Sequence, residues 1–555
     1  MTHGMVSAAQ PEAVEAGIDI LRAGGNVVDA AIGAALVQTA VDPQMCGIAG
    51  MGCLHLYLPT RGVHTTIDFH GRSPGATRTD MWQDLIVREA DDGWGFILEG
   101  RVNEIGYQSI TTPMTLRAFD AALSRFGTRS LGELLQPAIA YCETGFLVRP
   151  HVSEFWHYPP RAGRAGNIGI VTRYPATRKI YTKSSGHPYA VGELLRNPDM
   201  GRTYRRIASH GAEDFYAGEI ASRIAVDMAE HGGLITLDDL AACAPEENPP
   251  LWGSYRGYRI ATNNPPGGGI MLIEMLNILE QFDLRALGHN SPEYIRVVAE
   301  AMKIATVDKD AKVGDPRFLR VPVDVLASKD YAARMAERIR RGEKTHVPRF
   351  NSGGAESKHT TQVCVVDTEG NAVTMTHTLG QPSGVVTEGL GFMYNGAMAV
   401  FDPRPGHAGS LEPGKARFSA LSPTIVFGPG EKPFLVLGAP GATYITMGNL
   451  QVMLNAIEFG MDAQQAVSAP RFAAVSDTIE VSNRILHATE RALQAQGYGT
   501  LRHAQSYQFA WVHAIRCIDG RLDGGADPAT GAWRWRSSAE RRCSATRGPR
   551  AQSGC

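Results

Sequence analysis

The chain has 555 residues and a formal net charge of −2, with 54 Lys and Arg against 56 Asp and Glu. That balance predicts no nucleic-acid partner and no membrane-surface partner. With 43% hydrophobic and 20% charged residues, the composition is that of a globular protein able to bury a large core.

Eight cysteines are scattered without a CxxC pair or a zinc spacing, so free thiols and no metal site are expected. The chain begins Met1-Thr-His-Gly-Met-Val-Ser7, without a basic and then apolar leader. No apolar run reaches the length that crosses a membrane. A cytoplasmic protein is expected from the sequence as written, with export the alternative if translation starts upstream.

In chain order, Pro11 to Arg22 carries apolar positions at helical spacing and stops at Gly24-Gly25. A second helix, Val28 to Val41, follows Asn26, a residue suited to cap it. It is Ala-rich and nearly uncharged, which predicts burial on most sides. Gly47 to Gly52 is a Gly-rich connection without the Lys-Ser/Thr of a phosphate loop. It feeds a strand from Cys53 to Leu58, with a second strand from Thr65 to Phe69. Amphipathic helices are predicted over Thr115–Phe126, Leu131–Thr144, Gly218–His231, Ile270–Phe282 and Pro292–Val307. Asn263 to Gly269 breaks the chain before one of them. Glu337 to Lys344 is a charged, solvated stretch, and Val347 to Lys358 is expected to be a mobile linker.

The most informative stretch follows. Two β-branched runs, Thr360 to Val366 and Ala372 to Thr378, flank Asp367-Thr-Glu-Gly-Asn371, which is a turn signal. A hairpin centred on Glu369 pairs residue 366 with 372 and residue 360 with 378. Thr360 then lies across the ladder from Thr378, close enough for their hydroxyls to interact. Threonines are also common in strands for packing reasons alone, so the pair does not by itself specify chemistry. Further on, Pro433 to Leu437 reads as a strand. Gly441-Ala-Thr-Tyr opens a helix whose first amides are unpaired donors that favour negative charge. Strands alternating with long helices predict an α/β fold with sheets between helical layers.

The stretch from Thr360 to Leu379 resembles the start of the small subunit in the γ-glutamyltransferase family of N-terminal nucleophile hydrolases. Gly24-Gly-Asn26-x-x-Asp29, Asp68-Phe69, Gly232 to Leu240, Ser422-Pro-Thr424 and Gly438-x-Pro-Gly441 match it in the same order. The chain is identified as a member of that family from Gly4 to about Pro528. The resemblance implies a four-layer αββα fold built jointly from two self-cleaved parts, 1–359 and 360–555, intertwined as one domain. It implies cleavage between His359 and Thr360. The new terminal amine, of reference pKa about 7.7–8.0, then serves as base for the Thr360 hydroxyl. Thr378 would orient that pair, and the backbone N–H groups of Gly441 and Ala442 would form the oxyanion hole. No cofactor is required, and a homodimer of processed pairs is compatible with the resemblance.

At the family's glutamate-binding positions the chain departs. The arginine after Asp-Phe is His70, and the asparagine, glutamine and aspartate further on are Gly380, Ala397 and Val400. A serine pair becomes Ser419-Ala420. A glutamyl ammonium and carboxylate would be left unpaired, at about 1–3 kcal/mol for each buried group and more if charged. Arg72 could hold one substrate carboxylate bidentately, or be a structural arginine in a turn. The tail after Pro528 departs as well. Trp533 to Arg550 is rich in Arg, Ser and Cys without apolar periodicity, which predicts disorder over 529–555. A reading-frame shift near Gly531 is the expected origin, with a basic functional tail the alternative.

Three functions stay open on the sequence. The first is a self-processing amidohydrolase for a small non-glutamyl amide, like oxamate amidohydrolase or the cephalosporin-type acylases. The second is a γ-glutamyltransferase or glutathione hydrolase with a rebuilt pocket. The third is an unprocessed, inactive scaffold.

Overall fold

The structure is a computed structural model that describes residues 2–90, 95–160, 163–348, 360–507, 509–530 and 533–537. Two sheets lie at its centre. The strands that build them are β1 (Gly4–Ala8), β2 (Met51–Leu58), β3 (Val63–Phe69), β4 (Glu246–Asn248), β5 (Leu251–Tyr255), β6 (Tyr258–Thr262), β7 (Thr361–Asp367), β8 (Ala372–Thr378), β9 (Thr424–Phe427), β10 (Pro433–Gly438), β11 (His513–Ile518), β12 (Arg521–Ala526) and β13 (Trp533–Arg536). The seven-stranded sheet runs β13-β1-β7-β8-β2-β3-β4, and the six-stranded sheet runs β12-β11-β10-β9-β6-β5. Segments from both sides of the 359/360 join alternate within the larger sheet, so neither part completes it alone.

The period-two alternation of β7 explains the layering. Val363 and Val365 face a helical layer that includes α1 (Pro11–Arg22) and α2 (Val27–Val41). Cys364 and Val366 face the second sheet, packing with Ile425, Val436 and Ile515. The far side of that sheet is covered by α3 (Gly269–Leu279), α4 (Pro292–Lys312) and α5 (Tyr444–Ile457). The order is helices, sheet, sheet, helices, the expected αββα arrangement. Because both faces are covered, β7 and β8 are buried along their whole length, as strands with two covered faces must be.

Local choices follow from the residues. Asn26 caps α2 in a reciprocal box with Asp29, which satisfies two otherwise orphaned amides. Every residue of α2 is buried. The hairpin register is the predicted one, with Val366 facing Ala372 and Thr361 facing His377. The turn is closed by Asp367, whose Oδ1 accepts from the N–H groups of Glu369 and Asn371 at 3.0 and 2.9 Å.

Other expectations change. Leu131 to Thr144 is two helices, Leu131–Leu134 and Gln136–Thr144, with Pro137 in the first turn of the second, where its missing N–H costs nothing. Glu337 to Lys344 is solvated as expected, all but Arg338 and Ile339 being exposed, and its first four residues end a helix, Lys329–Arg340, whose Ala332, Ala336 and Ile339 are buried. Of the predicted linker, only Val347 and Pro348 are described; 349–359, with His359, lie outside the described residues. Six of the eight cysteines, from Cys46 to Cys517, are free thiols, and Cys543 and Cys555 lie outside the described residues.

The predicted disorder of 529–555 is corrected in part. Trp533 to Arg536 is β13, an edge strand paired antiparallel with β1, Met5 facing Arg536 and Ala8 facing Trp533. β1 offers an open row of backbone groups on that side, and Ser537 fastens the end. Its Oγ accepts from the Gly4 N–H at 2.8 Å, and its N–H donates to the Gly4 carbonyl at 2.8 Å. The Arg22 guanidinium lies 4.9 Å from the Trp535 ring centre. Residues 538–555 lie outside the described residues.

Candidate active site

Thr360 stands immediately before β7 and is buried. Its hydroxyl donates to Thr378 Oγ1 at 3.2 Å, the contact the hairpin register predicts. Thr378 Oγ1 also accepts from the Gly380 N–H at 2.8 Å. Gly380 has φ of +72°, a left-handed backbone that a side chain would strain, and that turn aims the N–H back at Thr378.

Alternation sends Thr361 to the other face, into a buried polar network. Gln38 Nε2 donates to Thr361 Oγ1 at 3.0 Å, to Gln10 Oε1 at 2.6 Å and to the Gln362 carbonyl at 3.1 Å. Gln10 Nε2 donates to Asp42 Oδ2 at 2.7 Å, and His377 Nε2 is 2.9 Å from Gln38 Oε1. Burial pushes the His377 imidazole down to about 3, so it is neutral and donates from Nε2. These bonds fix the first residues of β7 from beneath, which holds Thr360 in place.

A second network runs toward the other sheet. Gln362 Nε2 donates to Thr374 Oγ1 at 2.7 Å, and Thr374 Oγ1 donates to the Leu437 carbonyl at 3.0 Å. β10 ends at Gly438 and leads into Gly441 and Ala442, the expected oxyanion turn. Gly441 has φ of +136°, and a Cβ there would stand 2.7 Å from Ala510 Cα. Ala442 has φ of +52°, unusual for a residue with a side chain. The turn is held by the Trp511 N–H on the Pro440 carbonyl at 3.1 Å, and by the Tyr444 N–H on the Gly441 carbonyl at 3.0 Å. It opens directly into α5, whose first-turn amides add positive potential.

The expected substrate positions do not form one cluster. Gly380 lies beside the Met51 side chain and Ala397, and strand pairing brings His70 level with Met51. The His70 ring is buried, with Nδ1 2.9 Å from Asp68 Oδ1 and its Nε2 without a hydrogen-bond partner. Ser419 and Ala420 pack instead on the Gly-rich entry to α3: the Ser419 N–H donates to the Pro266 carbonyl at 2.9 Å, and the Gly268 N–H to the Leu421 carbonyl at 2.8 Å. The breaker 263–269 is therefore both a helix entry and a support for this segment. Val400 and Ala420 line a cleft of about 360 Å³ together with Phe96, Phe418, Thr443 and Lys309. The Arg72 guanidinium pairs with Glu246, which faces Asp68 across the sheet.

Two residues were missed in the sequence. Arg417, two positions before Ser419, is buried, and loss of solvent pushes its guanidinium down to about 9. Lys415-Ala-Arg-Phe418 gave no pattern to set it apart from a surface arginine. Met51 was passed over as part of a Gly-rich connection, although a large side chain between Gly50 and Gly52 was a signal.

Two sheets enclosed by helices, with a threonine hydroxyl pair at the head of a central strand and a strained Gly-Ala turn at the end of a strand opposite, define a hydrolase of the N-terminal nucleophile class. Residues 13–533 match the family described as gamma-glutamyltranspeptidase, and the chain belongs to that family. It is 36% identical over 507 residues to the Acylase ACY 1 proenzyme of Pseudomonas sp. (strain V22), covering 90% of this chain and 88% of that protein. It is 33% identical over 546 residues to the glutathione hydrolase proenzyme of Escherichia coli (strain K12), covering 95% and 90%. Among solved structures, a cephalosporin acylase from Bacillus halodurans superposes with a TM-score of 0.85 at 27% identity over 96% of each chain.

Proposed function

We propose that this chain is a self-processing amidohydrolase that uses Thr360 as its nucleophile and acts on a small amide whose acyl group is not γ-glutamyl. The observation that carries the reading is the Thr360–Thr378 hydroxyl contact of 3.2 Å with the Gly380 N–H behind it. Relatives named as proenzymes, one an acylase and one a glutathione hydrolase, support both the processing and the amide chemistry.

In maturation, the Thr360 hydroxyl attacks the His359 carbonyl carbon. The C–N bond to Thr360 breaks as an ester to Oγ1 forms, and the nitrogen takes the hydroxyl proton. Water then cleaves the ester, leaving a carboxylate on His359 and a free α-amine on Thr360. In turnover, that amine removes the Oγ1 proton while Oγ1 attacks the substrate carbonyl, and it returns the proton to the leaving amine. The N–H groups of Gly441 and Ala442 stabilise the oxyanion, a contribution of about 2.7–4 kcal/mol per donor in measured systems. In the second half, the amine takes a proton from water as the water oxygen attacks the acyl carbon; the bond to Oγ1 breaks, Oγ1 receives that proton, and the carboxylic acid leaves.

The glutamyl reading is the less favoured because Gly380 and Ala397 offer no side-chain partner for an ammonium. Intact mass spectrometry of purified protein should find two fragments, 1–359 and 360–555, and Thr360→Ala should remain whole and inactive. Amide hydrolysis by stably uncut wild-type protein would overturn the mechanism.

A further inference from the structure

Strand order puts four residues in one row across the end of the larger sheet. Thr361 faces His377, so Thr360 comes level with Thr378. Thr378 faces Met51. Gly52 faces Phe69, which brings His70 level with Met51. Residues opposite each other on neighbouring antiparallel strands project to the same face. For this row it is the face toward the second sheet, where Gln362, Cys364 and Thr374 also lie.

Met51 is fully buried in that row. The Gly71 N–H donates to its Sδ at 3.4 Å. A Cβ added to Gly380 would stand 3.2 Å from Met51 Cε and 3.3 Å from Ala397 Cβ. The thioether therefore occupies the space bounded by Thr378, Gly71, Gly380 and Ala397, on the side of the threonine pair away from β1. It carries no hydrogen-bond donor and at most a weak acceptor. A charged head group placed against it would lose its water without gaining a partner.

We infer that Met51 is a specificity-determining residue, a plug that shortens the acyl pocket beside Thr360 and admits only short acyl groups without an ammonium next to the reacting chain. This rests on the amidohydrolase reading above. Methionine suits the role because its unbranched thioether adapts to an irregular gap. Replacing it by alanine removes every side-chain atom beyond Cβ and leaves Gly71, Gly380 and Ala397 lining an open space.

The test uses processed wild-type, Met51→Ala and Met51→Leu enzymes with acetyl, butyryl and hexanoyl p-nitroanilides, and with the three corresponding free acids in a thermal-shift titration. Wild type should favour the short chains. Met51→Ala should raise the hexanoyl-to-acetyl ratio of kcat/KM by about tenfold or more, the scale of one or two methylenes in an apolar pocket. Met51→Leu, of similar bulk, should keep the wild-type order. An equal loss on all three anilides in Met51→Ala overturns the plug while leaving the amidase reading intact. If no anilide is cleaved but the chain-length order of acid binding still moves with position 51, the plug stands and the amidase reading fails. Binding that ignores position 51, without turnover, overturns both. Should Met51→Ala fail to process, Met51→Val supplies the smaller side chain for the same comparison.

Discussion

The Gln362 carboxamide packs on the backbone of Gly438 so closely that a Cβ there would stand 2.5 Å from its atoms. Gln362 lies two positions after Thr360, the proposed nucleophile; Gly438 lies three positions before Gly441, which opens the proposed oxyanion turn. Contact between them sets the distance between the two segments proposed to form the catalytic apparatus, which sit on different sheets. Gly438→Ala should therefore destabilise the protein by about 1–3 kcal/mol, the usual cost of overpacking, and slow self-cleavage. Gln362→Ala in the same chain should recover part of that loss, a non-additivity expected only of groups in contact. Urea unfolding of the two single variants and the double variant measures it; strictly additive values would show that the contact carries no strain.

Thr378→Val tests the hydroxyl pair. Valine keeps the shape but removes the acceptor for both the Thr360 hydroxyl and the Gly380 N–H. An unmade buried hydrogen bond costs about 1–3 kcal/mol, and each 1.4 kcal/mol in the transition state is about tenfold in rate. Self-cleavage and kcat should both fall by about tenfold or more, with KM changed less, since the contact orients the nucleophile rather than the substrate. A time course of precursor disappearance, with steady-state kinetics on the processed fraction, gives both numbers. Unaltered rates would remove Thr378 from the mechanism.

Much of this site was legible in the sequence because it is local. Asp367 to Asn371 is a turn by its residues, and the turn fixes the register that brings Thr360 opposite Thr378. Met51 was not legible, because its neighbours come from strands far apart in the chain, and no spacing reveals that 51, 70, 378 and 397 converge. Trp533-Arg-Trp-Arg536 was misread for a different reason. The density of Arg, Ser and Cys around it predicts disorder, whereas Trp and Arg alternate over four residues as in a strand, and the edge of β1 completes it. Arg72 shows the limit of reading one residue at a time: its guanidinium pairs with Glu246, a partner remote in sequence. That partly exposed pair is worth about 0–1 kcal/mol, and it competes with any substrate carboxylate.

Acid should weaken the fold in a defined window. Burial lowers His377 to about 3, burial with His64 nearby lowers His55 to about 3, and burial with Arg471 nearby lowers His513 to about 3. In each case the unfolded chain binds a proton near pH 6.5 that the native state refuses until far lower pH. Stability is therefore unaffected above about pH 6.5 and falls as pH drops from there toward 3, by up to about 1.4 kcal/mol per pH unit for each histidine. Tm recorded from pH 7 to pH 4 should fall, and His377→Gln should fall less steeply. An identical slope in wild type and variant would mean that His377 titrates in the native state.

Ala442 offers a test of the oxyanion turn. At φ of +52° a left-handed residue with a Cβ costs roughly 1–2 kcal/mol. Glycine would remove that cost while losing about 0.5–1 kcal/mol through the entropy of the unfolded chain. Ala442→Gly should therefore be neutral or slightly stabilising and keep its activity, because the backbone N–H proposed as an oxyanion donor is retained. Ala442→Val adds a β-branched side chain to the same φ and should cut kcat by at least tenfold, about 1.4 kcal/mol, as the turn opens to relieve the clash. Melting and kinetics on the two variants decide it; full activity in Ala442→Val would place the oxyanion donors elsewhere.

The pocket chemistry predicts poor turnover of γ-glutamyl anilides relative to short-chain anilides. The glutamyl group brings an ammonium and a carboxylate next to the reacting chain. At the positions that the family resemblance assigns to those groups, this chain has His70, Gly380, Ala397 and Val400, with the Met51 thioether beside Gly380. His70→Arg alone should not rescue glutamyl activity. Asp68, now 2.9 Å from His70 Nδ1, would take the new guanidinium, and the ammonium would still meet only Gly380 and Ala397. The single variant should improve kcat/KM on γ-glutamyl anilide by less than about threefold, well under the tenfold that 1.4 kcal/mol of new binding would give. Steady-state kinetics on wild type and variant with both substrate classes give the answer. Efficient γ-glutamyl turnover by the wild-type enzyme would mean that other residues, with buried Arg417 the first to examine, supply the missing contacts.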